Sequence, residues 1–169
     1  ETREEVGHWE MDSVVGAQGE GEKTLLVLTE RKTRKEIIRL LNNHTSEEVV
    51  KALNRIERDL GEKRFRETFK SITVDNGTEF SDWEGMERSR RNKKRKRTKI
   101  YYCHAYRSCE RGSNENLNRM IRRWFPKGTN FDDVSKSEVQ KVENWINQYP
   151  REILGWKSSD EMYKLEQAI

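Results

Sequence analysis

Apolar residues are scarce in this chain, since 32% of its 169 residues are hydrophobic and 38% are charged. No apolar run approaches the roughly eighteen residues of a membrane-spanning helix, and we find no signal peptide ahead of the first strand-like segment. The two cysteines, Cys103 and Cys109, are too few for a disulfide framework in a domain of this size. These shortages favour a cytoplasmic protein that has no membrane partner.

The length predicts one domain with a short appendage: a core at residues 1–150, and a C-terminal loop and short helix at 151–169. Five residues each of Trp, Tyr and Phe offset the thin apolar content, because each large ring buries much apolar area. Helical spacing assigns Trp124 and Trp145 to the core, whereas Trp83 and Trp156 are expected in loops. The first residue is not Met and a strand begins soon after it, so we expect a further region upstream.

Positive charge is concentrated in one segment. The net charge is +4, and residues 88–99 carry nine basic side chains and no acid, so the remainder of the chain has a net charge of −5. Such a block is typical of a solvated, mobile loop, or of an arm that binds phosphates with release of counterions. The block has no apolar face that would suit a membrane surface.

The periodicity predicts an α/β fold with a mixed five-stranded sheet flanked by helices. We predict strands at residues 6–15, 24–29, 36–41, 71–74 and 99–103. Capping boxes at Thr45 with Glu48 and at Ser135 with Glu138 mark the starts of two helices. A third helix is expected to begin at residues 112–113 and to end before Pro126.

Three acidic residues stand out, and each also has an ordinary interpretation. Asp12 shares one strand face with His8 and Glu10, which is typical of a solvated face or, less plausibly, of a metal site on one strand. Asp75 ends the fourth predicted strand, where α/β sheets place ligands, but the following Asn-Gly is also a strong hairpin signal. Glu115 lies in a first helical turn, where the helix dipole alone favours a negative charge.

Thiol and imidazole chemistry receives little support. Cys103, His104 and Cys109 lack a second pair of ligands at the spacing of a zinc site. Adjacent residues on a strand point to opposite faces, so Cys103 and His104 do not form a nucleophile pair.

Taken together, the three acidic motifs resemble those of DDE transposases, and most closely the prokaryotic insertion-sequence-thirty family. The motifs are the runs HWEMD at 8–12, TVDNGTEF at 73–80 and RGSNEN at 111–116. The runs YCHAY at 102–106, WFPKGT at 124–129 and PREILGW at 150–156 agree as well. The resemblance spans nearly the whole chain in the right order. It departs from the family at Met11, at Cys109 and at Ser158-Ser159, none of which is an acid of the three.

The resemblance implies a ribonuclease-H-like fold of the retroviral-integrase type, in which Asp12, Asp75 and Glu115 bind two Mg²⁺ or Mn²⁺ ions. In this scheme Asp12 bridges two metals about 3.5–4 Å apart, and Asp75 and Glu115 each help to hold one of them. The implied activity is cleavage of DNA strands at transposon ends and their transfer into target DNA. The expected assembly is a homodimer or higher oligomer in a synaptic complex, in the nucleoid of a prokaryotic cell.

Basic residues near these motifs are the candidates for DNA contacts. The predicted set is Arg119, Arg122, Arg123 and Lys127, followed by Lys93, Lys94 and Arg95 in the basic block. Two other functions are compatible with the residues: a stand-alone nuclease of the same fold, and a catalytically silent DNA-binding or assembly module.

Overall fold

The computed structural model describes residues 4–19, 21–103 and 114–168, and within the last range it describes side chains from residue 117 onward. A mixed five-stranded sheet forms its centre, as the sequence predicts, with the strand order β3-β2-β1-β4-β5. The strands are β1 (His8–Val14), β2 (Thr24–Glu30), β3 (Glu36–Leu41), β4 (Ser71–Val74) and β5 (Ile100–Tyr102). The first three are antiparallel neighbours, whereas β4 runs parallel to both β1 and β5.

Helices cover both faces of this sheet. The described ranges contain α1 (Ser46–Leu60), α2 (Glu62–Thr68), α3 (Trp83–Glu87), α4 (Asn114–Trp124), α5 (Lys136–Gln148) and α6 (Ser159–Gln167). The N-caps of both predicted capping boxes are present, since the side chains of Thr45 and Ser135 accept hydrogen bonds from the backbone N–H groups of Glu48 and Glu138. The carboxylate of Glu48 accepts from the backbone N–H of Asn42. No described helix is long and apolar enough to cross a bilayer.

Strand alternation divides the apolar residues into two clusters, one on each face of the sheet. On the first face, Trp9 and Met11 of β1 pack with residues of α1 and with Phe65 and Phe69. On the second face, Val14 and Val27 pack with α4 and α5, including Leu117 and Ile121. The sheet therefore separates an α1 side from an α4 side.

Two short helices were not predicted from the sequence. Phe65 lies in α2, and its ring packs 4.6 Å from that of Phe69. Gly61, with φ of 86°, ends α1 and at once precedes α2, because its left-handed backbone redirects the chain. Trp83 was assigned to a loop, but it begins α3, whose N-cap is Asp82.

The expectation that Trp124 is a core residue is wrong. This side chain is 50% exposed, and its ring meets the edge of Trp145 at a centroid distance of 5.5 Å. Trp124 is the last residue of α4, so it lies beyond the part of the helix that Leu117 and Ile121 bury against the sheet.

Candidate active site

Asp12 and Asp75 lie at the same level of two neighbouring parallel strands. The pairing of β1 with β4 joins His8 to Ser71 and Glu10 to Thr73. Continuing this register by two residues brings Asp12 opposite Asp75. Because adjacent strands are about 4.8 Å apart, the two carboxylates start from neighbouring positions on the sheet.

Both aspartates also belong to the α4 side of the sheet. Asp12 pairs across β1 and β2 with Val27, which packs in the cluster of Leu117 and Ile121. Ile72 and Val74 of β4 belong to the opposite cluster, so alternation turns Asp75 towards the α4 side. Strand order, register and alternation thus bring together two of the three acids predicted from the sequence.

Local backbone bonds orient each carboxylate. The backbone N–H of Ser13 donates to Asp12 Oδ1 at 2.9 Å, and that of Gly77 donates to Asp75 Oδ1 at 2.8 Å. The second bond forms an Asx turn immediately after β4. The hairpin interpretation of Asp75-Asn76-Gly77 is wrong, because a 3-10 helix at Thr78–Phe80 follows instead of a returning strand.

A buried carboxylate lies beneath this loop. Glu79 is 8% exposed and accepts a hydrogen bond from Ser13 Oγ at 3.3 Å. His44 Nε2, from the segment between β3 and α1, lies 3.1 Å from Glu79 Oε1. Glu79 therefore links the Asp75 loop to the residue after Asp12. The sequence alone did not single out Glu79, because its contact with His44 depends on the tertiary fold.

Glu115 is the second residue of α4. Its backbone is helical, as predicted, and its side chain lies outside the part of the chain that the structure describes. The helix itself is fixed against the sheet by Leu117 and Ile121. Arg122 Nη2 also donates to the carbonyl oxygen of Val15, at 3.2 Å, and so joins α4 to the end of β1.

The donor chemistry of the two aspartates fits a hard cation. Carboxylate oxygens are the ligands that Mg²⁺ and Mn²⁺ prefer, and both aspartates are partly exposed at the end of the sheet. Among the side chains that the structure describes, no three acids, histidines or cysteines form a metal cluster. A further donor is needed, and the position of Glu115 on the helix that covers this face suits that role.

The alternative of a metal site on β1 alone is wrong. His8 Nδ1 lies 2.7 Å from Ser71 Oγ, and its Nε2 lies 3.1 Å from Glu5. Glu10 is buried and lies 3.4 Å from Arg31 Nε. Both side chains are thus engaged away from Asp12.

The basic residues predicted to contact DNA differ in their surroundings. Arg119, Arg123 and Lys127 are exposed, on or just after α4. Arg122 is partly buried and holds α4 to Val15, so its guanidinium also has a structural role.

The basic block is not a uniformly solvated loop. Lys93, Lys94 and Arg95 are exposed, but Arg97 is only 1% exposed and lies 3.7 Å from the carboxylate of Glu57. Burial lowers the pKa of Arg97 to about 10, and the charge of Glu57 partly opposes this shift. One of the nine cations is therefore part of the core.

Known proteins resemble this chain in sequence and in fold. The model of the integrase core domain family matches residues 2–108. A probable transposase for the insertion-like sequence element IS1161, from Streptococcus salivarius, is 34% identical over 98% of the chain and 44% of that protein. The transposase InsI for element IS30A of Escherichia coli is 32% identical over 96% of the chain and 39% of that protein. The chain thus spans less than half the length of these relatives.

A solved structure supports the fold expected from the three acidic motifs. The catalytic core domain of BIV integrase superposes with a TM-score of 0.64, covering 97% of each chain at 13% identity. The ribonuclease-H-like fold of the retroviral-integrase type is therefore confirmed, as is the resemblance to DDE transposases. The chain belongs to the integrase core domain family.

Proposed function

We propose that this chain is the catalytic core of a DNA transposase, which cleaves DNA strands at transposon ends and joins them to target DNA. The observation that carries the proposal is the placement of Asp12 and Asp75 at one level and on one face of two parallel strands. Membership of the integrase core domain family supports the same chemistry, which in such folds generally uses divalent metals.

Asp12, Asp75 and Glu115 are the proposed ligands of two Mg²⁺ or Mn²⁺ ions. When bound, two such ions lower the pKa of an attacking water or 3′-hydroxyl and stabilise the leaving oxygen of an in-line displacement. The chain's own contribution is to hold its carboxylates in place. The backbone N–H groups of Ser13 and Gly77 orient the two aspartates, and Glu79 supports the loop that follows Asp75.

DNA is the proposed substrate, both as transposon ends and as target. Arg119, Arg123 and Lys127 are exposed on or just after α4, the helix that covers the face of the sheet to which Asp12 and Asp75 belong, and we propose that they contact phosphates. Arg122 is proposed to contribute from its position against Val15. Lys93, Lys94 and Arg95 are proposed as further phosphate contacts. Two copies or more are proposed to assemble, because joining requires two transposon ends to meet.

The first prediction concerns Asp75→Asn, which keeps the size of the side chain and removes its charge. We expect metal-dependent DNA cleavage to fall by about 10³-fold, since metal ions supply several kcal/mol of charge stabilisation and each 1.4 kcal/mol is tenfold in rate. The measurement is the single-turnover rate of nicking in Mg²⁺ on DNA that carries a transposon end.

Asp133→Asn is the matched control, because Asp133 is an exposed aspartate in the 3-10 helix Phe131–Asp133. The control should cleave at the unmodified rate. Undiminished cleavage by Asp75→Asn would overturn the assignment of the acids. If the unmodified protein cleaves DNA but does not join pre-cut transposon ends to target DNA, it is instead a stand-alone nuclease.

A further inference from the structure

Residues 88–96, here called the basic hairpin, form an ordered structure between α3 and β5. Arg88 and Lys96 make an isolated antiparallel bridge. Between them, Ser89 N–H donates to Arg95 O at 2.9 Å, and Arg95 N–H donates to Asn92 O at 2.9 Å. These bonds fold the segment back on itself, with its turn at residues 92–94.

Buried side chains anchor the base of the basic hairpin to α1, α2 and α3. Arg97 Nε and Nη2 donate to the carbonyl oxygens of Met86 and Gly85, both at 2.9 Å, and Arg97 Nη1 donates to Asn54 at 2.6 Å. Ser89 Oγ lies 2.9 Å from a carboxylate oxygen of Glu62 and 3.2 Å from one of Glu57, so its single hydrogen can be donated to either carboxylate. The backbone of the basic hairpin is therefore held by the core.

The outer part of the basic hairpin presents charge that no described acid neutralises. Arg88 and Lys96 approach Glu84 and Glu87, at 3.9 and 3.6 Å. The remaining five cations are exposed, and none forms an ion pair with a residue that the structure describes: Arg90, Arg91, Lys93, Lys94 and Arg95. A fixed cluster of like charges is electrostatically unfavourable unless a negatively charged partner meets it.

The basic hairpin lies at the opposite end of the sheet from Asp75. It leads into the start of β5, where Ile100 pairs with Ile72, whereas Asp75 follows the other end of β4. Four residues of strand, at about 3.3 Å each, separate the level of Asp75 from that of Lys99, which gives roughly 13 Å. Successive phosphates of one DNA strand are about 3.4 Å apart along the helix axis, so this span alone is about four base pairs. The basic hairpin is also held by α1, on the face of the sheet opposite that of Asp75, so the full path between them is longer.

We propose that the basic hairpin is a second DNA-binding surface, which grips the phosphates of duplex DNA at least about four base pairs from the cleaved bond. This inference rests on the proposed function, because the duplex is the flank of the same DNA substrate. Anchoring by Arg97 and Ser89 fixes the backbone in advance, so less conformational entropy is lost on binding.

The composition of the basic hairpin favours duplex DNA over other acidic partners. Between residues 90 and 95 it contains Arg, Asn and Lys only. Single-stranded nucleic acid is bound with aromatic side chains that stack on bases, and protein interfaces have apolar or aromatic centres. A surface of cations without either matches the regular phosphates of a duplex backbone.

The test is the triple variant Lys93→Gln, Lys94→Gln, Arg95→Gln, assayed for binding to a fluorescent duplex of random sequence in EDTA. Without divalent metal no cleavage occurs, so the readout does not depend on the catalytic acids. Three lost phosphate contacts should reduce the steepness of log affinity against log salt by about 2.7, at roughly 0.9 per contact. Affinity at low salt should fall at least about tenfold.

The matched control is Lys136→Gln, Lys141→Gln, Lys164→Gln, which removes three exposed lysines and the same net charge from α5 and α6. The control should change the slope of log affinity against log salt by less than about 0.9, the contribution of one phosphate contact. Equal slopes for the two triples would overturn the proposal. So would a loss of self-association with unchanged DNA binding, which would make the basic hairpin a contact between copies of the chain.

Discussion

At the scale of single residues, the first residue of β3 is a buried carboxyl group, that of Glu36. Burial raises the pKa of the Glu36 carboxyl well above its usual range. Two effects oppose this shift and lower the pKa: the hydrogen bond that Thr29 Oγ1 donates to the carboxylate at 3.0 Å, and the positive charge of Arg151. The backbone of Glu36 is bonded in both directions to the side chain of Asn147 in α5. Glu36 thus joins the sheet to a helix at a cost in desolvation.

Glu36→Gln tests this cost. The folded state holds the Glu36 proton more tightly than the unfolded chain, so above about pH 4.5 the folded state binds more protons. The contribution of this carboxyl to the free energy of unfolding therefore falls as the pH rises through its raised pKa. In Glu36→Gln the unfolding free energy, measured by urea denaturation at a series of pH values, should lose this fall as the pH rises above about 4.5.

Glu138→Gln provides the comparison, because Glu138 is an exposed glutamate in the first turn of α5. It should leave the slope of unfolding free energy against pH nearly unchanged. Identical slopes in the two variants would contradict the assignment of a raised pKa to Glu36.

The sequence was informative about residues whose role follows from local alternation. The face of Asp12 and the strand-end position of Asp75 could be predicted because each depends on a period of two within one strand. The burial of Glu79 and of Arg97 could not, since it depends on His44 and on Glu57, which lie 35 and 40 residues away. A charged side chain in the core gives no signal until its partner is known.

At the scale of elements, the loop after β4 is the segment on which the acid pair depends. Gly77 has φ of −60°, so alanine suits its backbone, but a Cβ there would lie 2.5 Å from Glu79 Oε2. The buried Glu79 carboxylate is held by Ser13 and His44 and cannot move away without disturbing them. Space at Gly77 is therefore needed for the position of Asp75.

Gly77→Ala should lower the rate of DNA cleavage at least about tenfold, because a displacement of about 1 Å in a catalytic group can cost 10²-fold. Gly85→Ala is the matched control: a Cβ at Gly85 would also meet a carboxylate, that of Asp82 at the N-cap of α3. With DNA at saturating concentration, so that a change in DNA affinity does not enter the rate, only Gly77→Ala should lose activity. Equal rates of cleavage in the two variants would contradict the importance of this loop.

Long periodic elements were predictable, and short ones were not. The first three strands appear within about two residues of their expected bounds, and two helices begin directly after the predicted N-caps Thr45 and Ser135. The helices α2 and α3 span seven and five residues, too few for an apolar period to stand out. Their stability comes from tertiary packing, in which Phe65 and Met86 are fully buried.

At the scale of the whole molecule, the acid pair and the basic hairpin are separated along the direction of the parallel strands. Asp12 and Asp75 lie towards the C-terminal ends of β1 and β4, and the basic hairpin lies at the other end of β4 and β5. The sequence predicted a mildly acidic body with a basic block, but the location of the block relative to the acids depends on the parallel pairing of β4 with β5. DNA that reaches both ends would cross the edge of the sheet.

The C-terminal segment is proposed as an appendage to the core at residues 151–169. Its helix α6 contacts the turn between β2 and β3, where Lys32 pairs with Glu166 at 2.8 Å and Lys35 pairs with Asp160. Tyr163 packs against the apolar cluster on the α1 side. These contacts hold α6 against the β2–β3 turn and the apolar cluster on the α1 side.

Anomalous diffraction from crystals soaked in Mn²⁺ tests whether Asp12, Asp75 and Glu115 form one metal site. We expect manganese between the carboxylates of Asp12 and Asp75, with the carboxylate of Glu115 completing the site. Manganese bound elsewhere, or a Glu115 carboxylate turned away from the two aspartates, would contradict it.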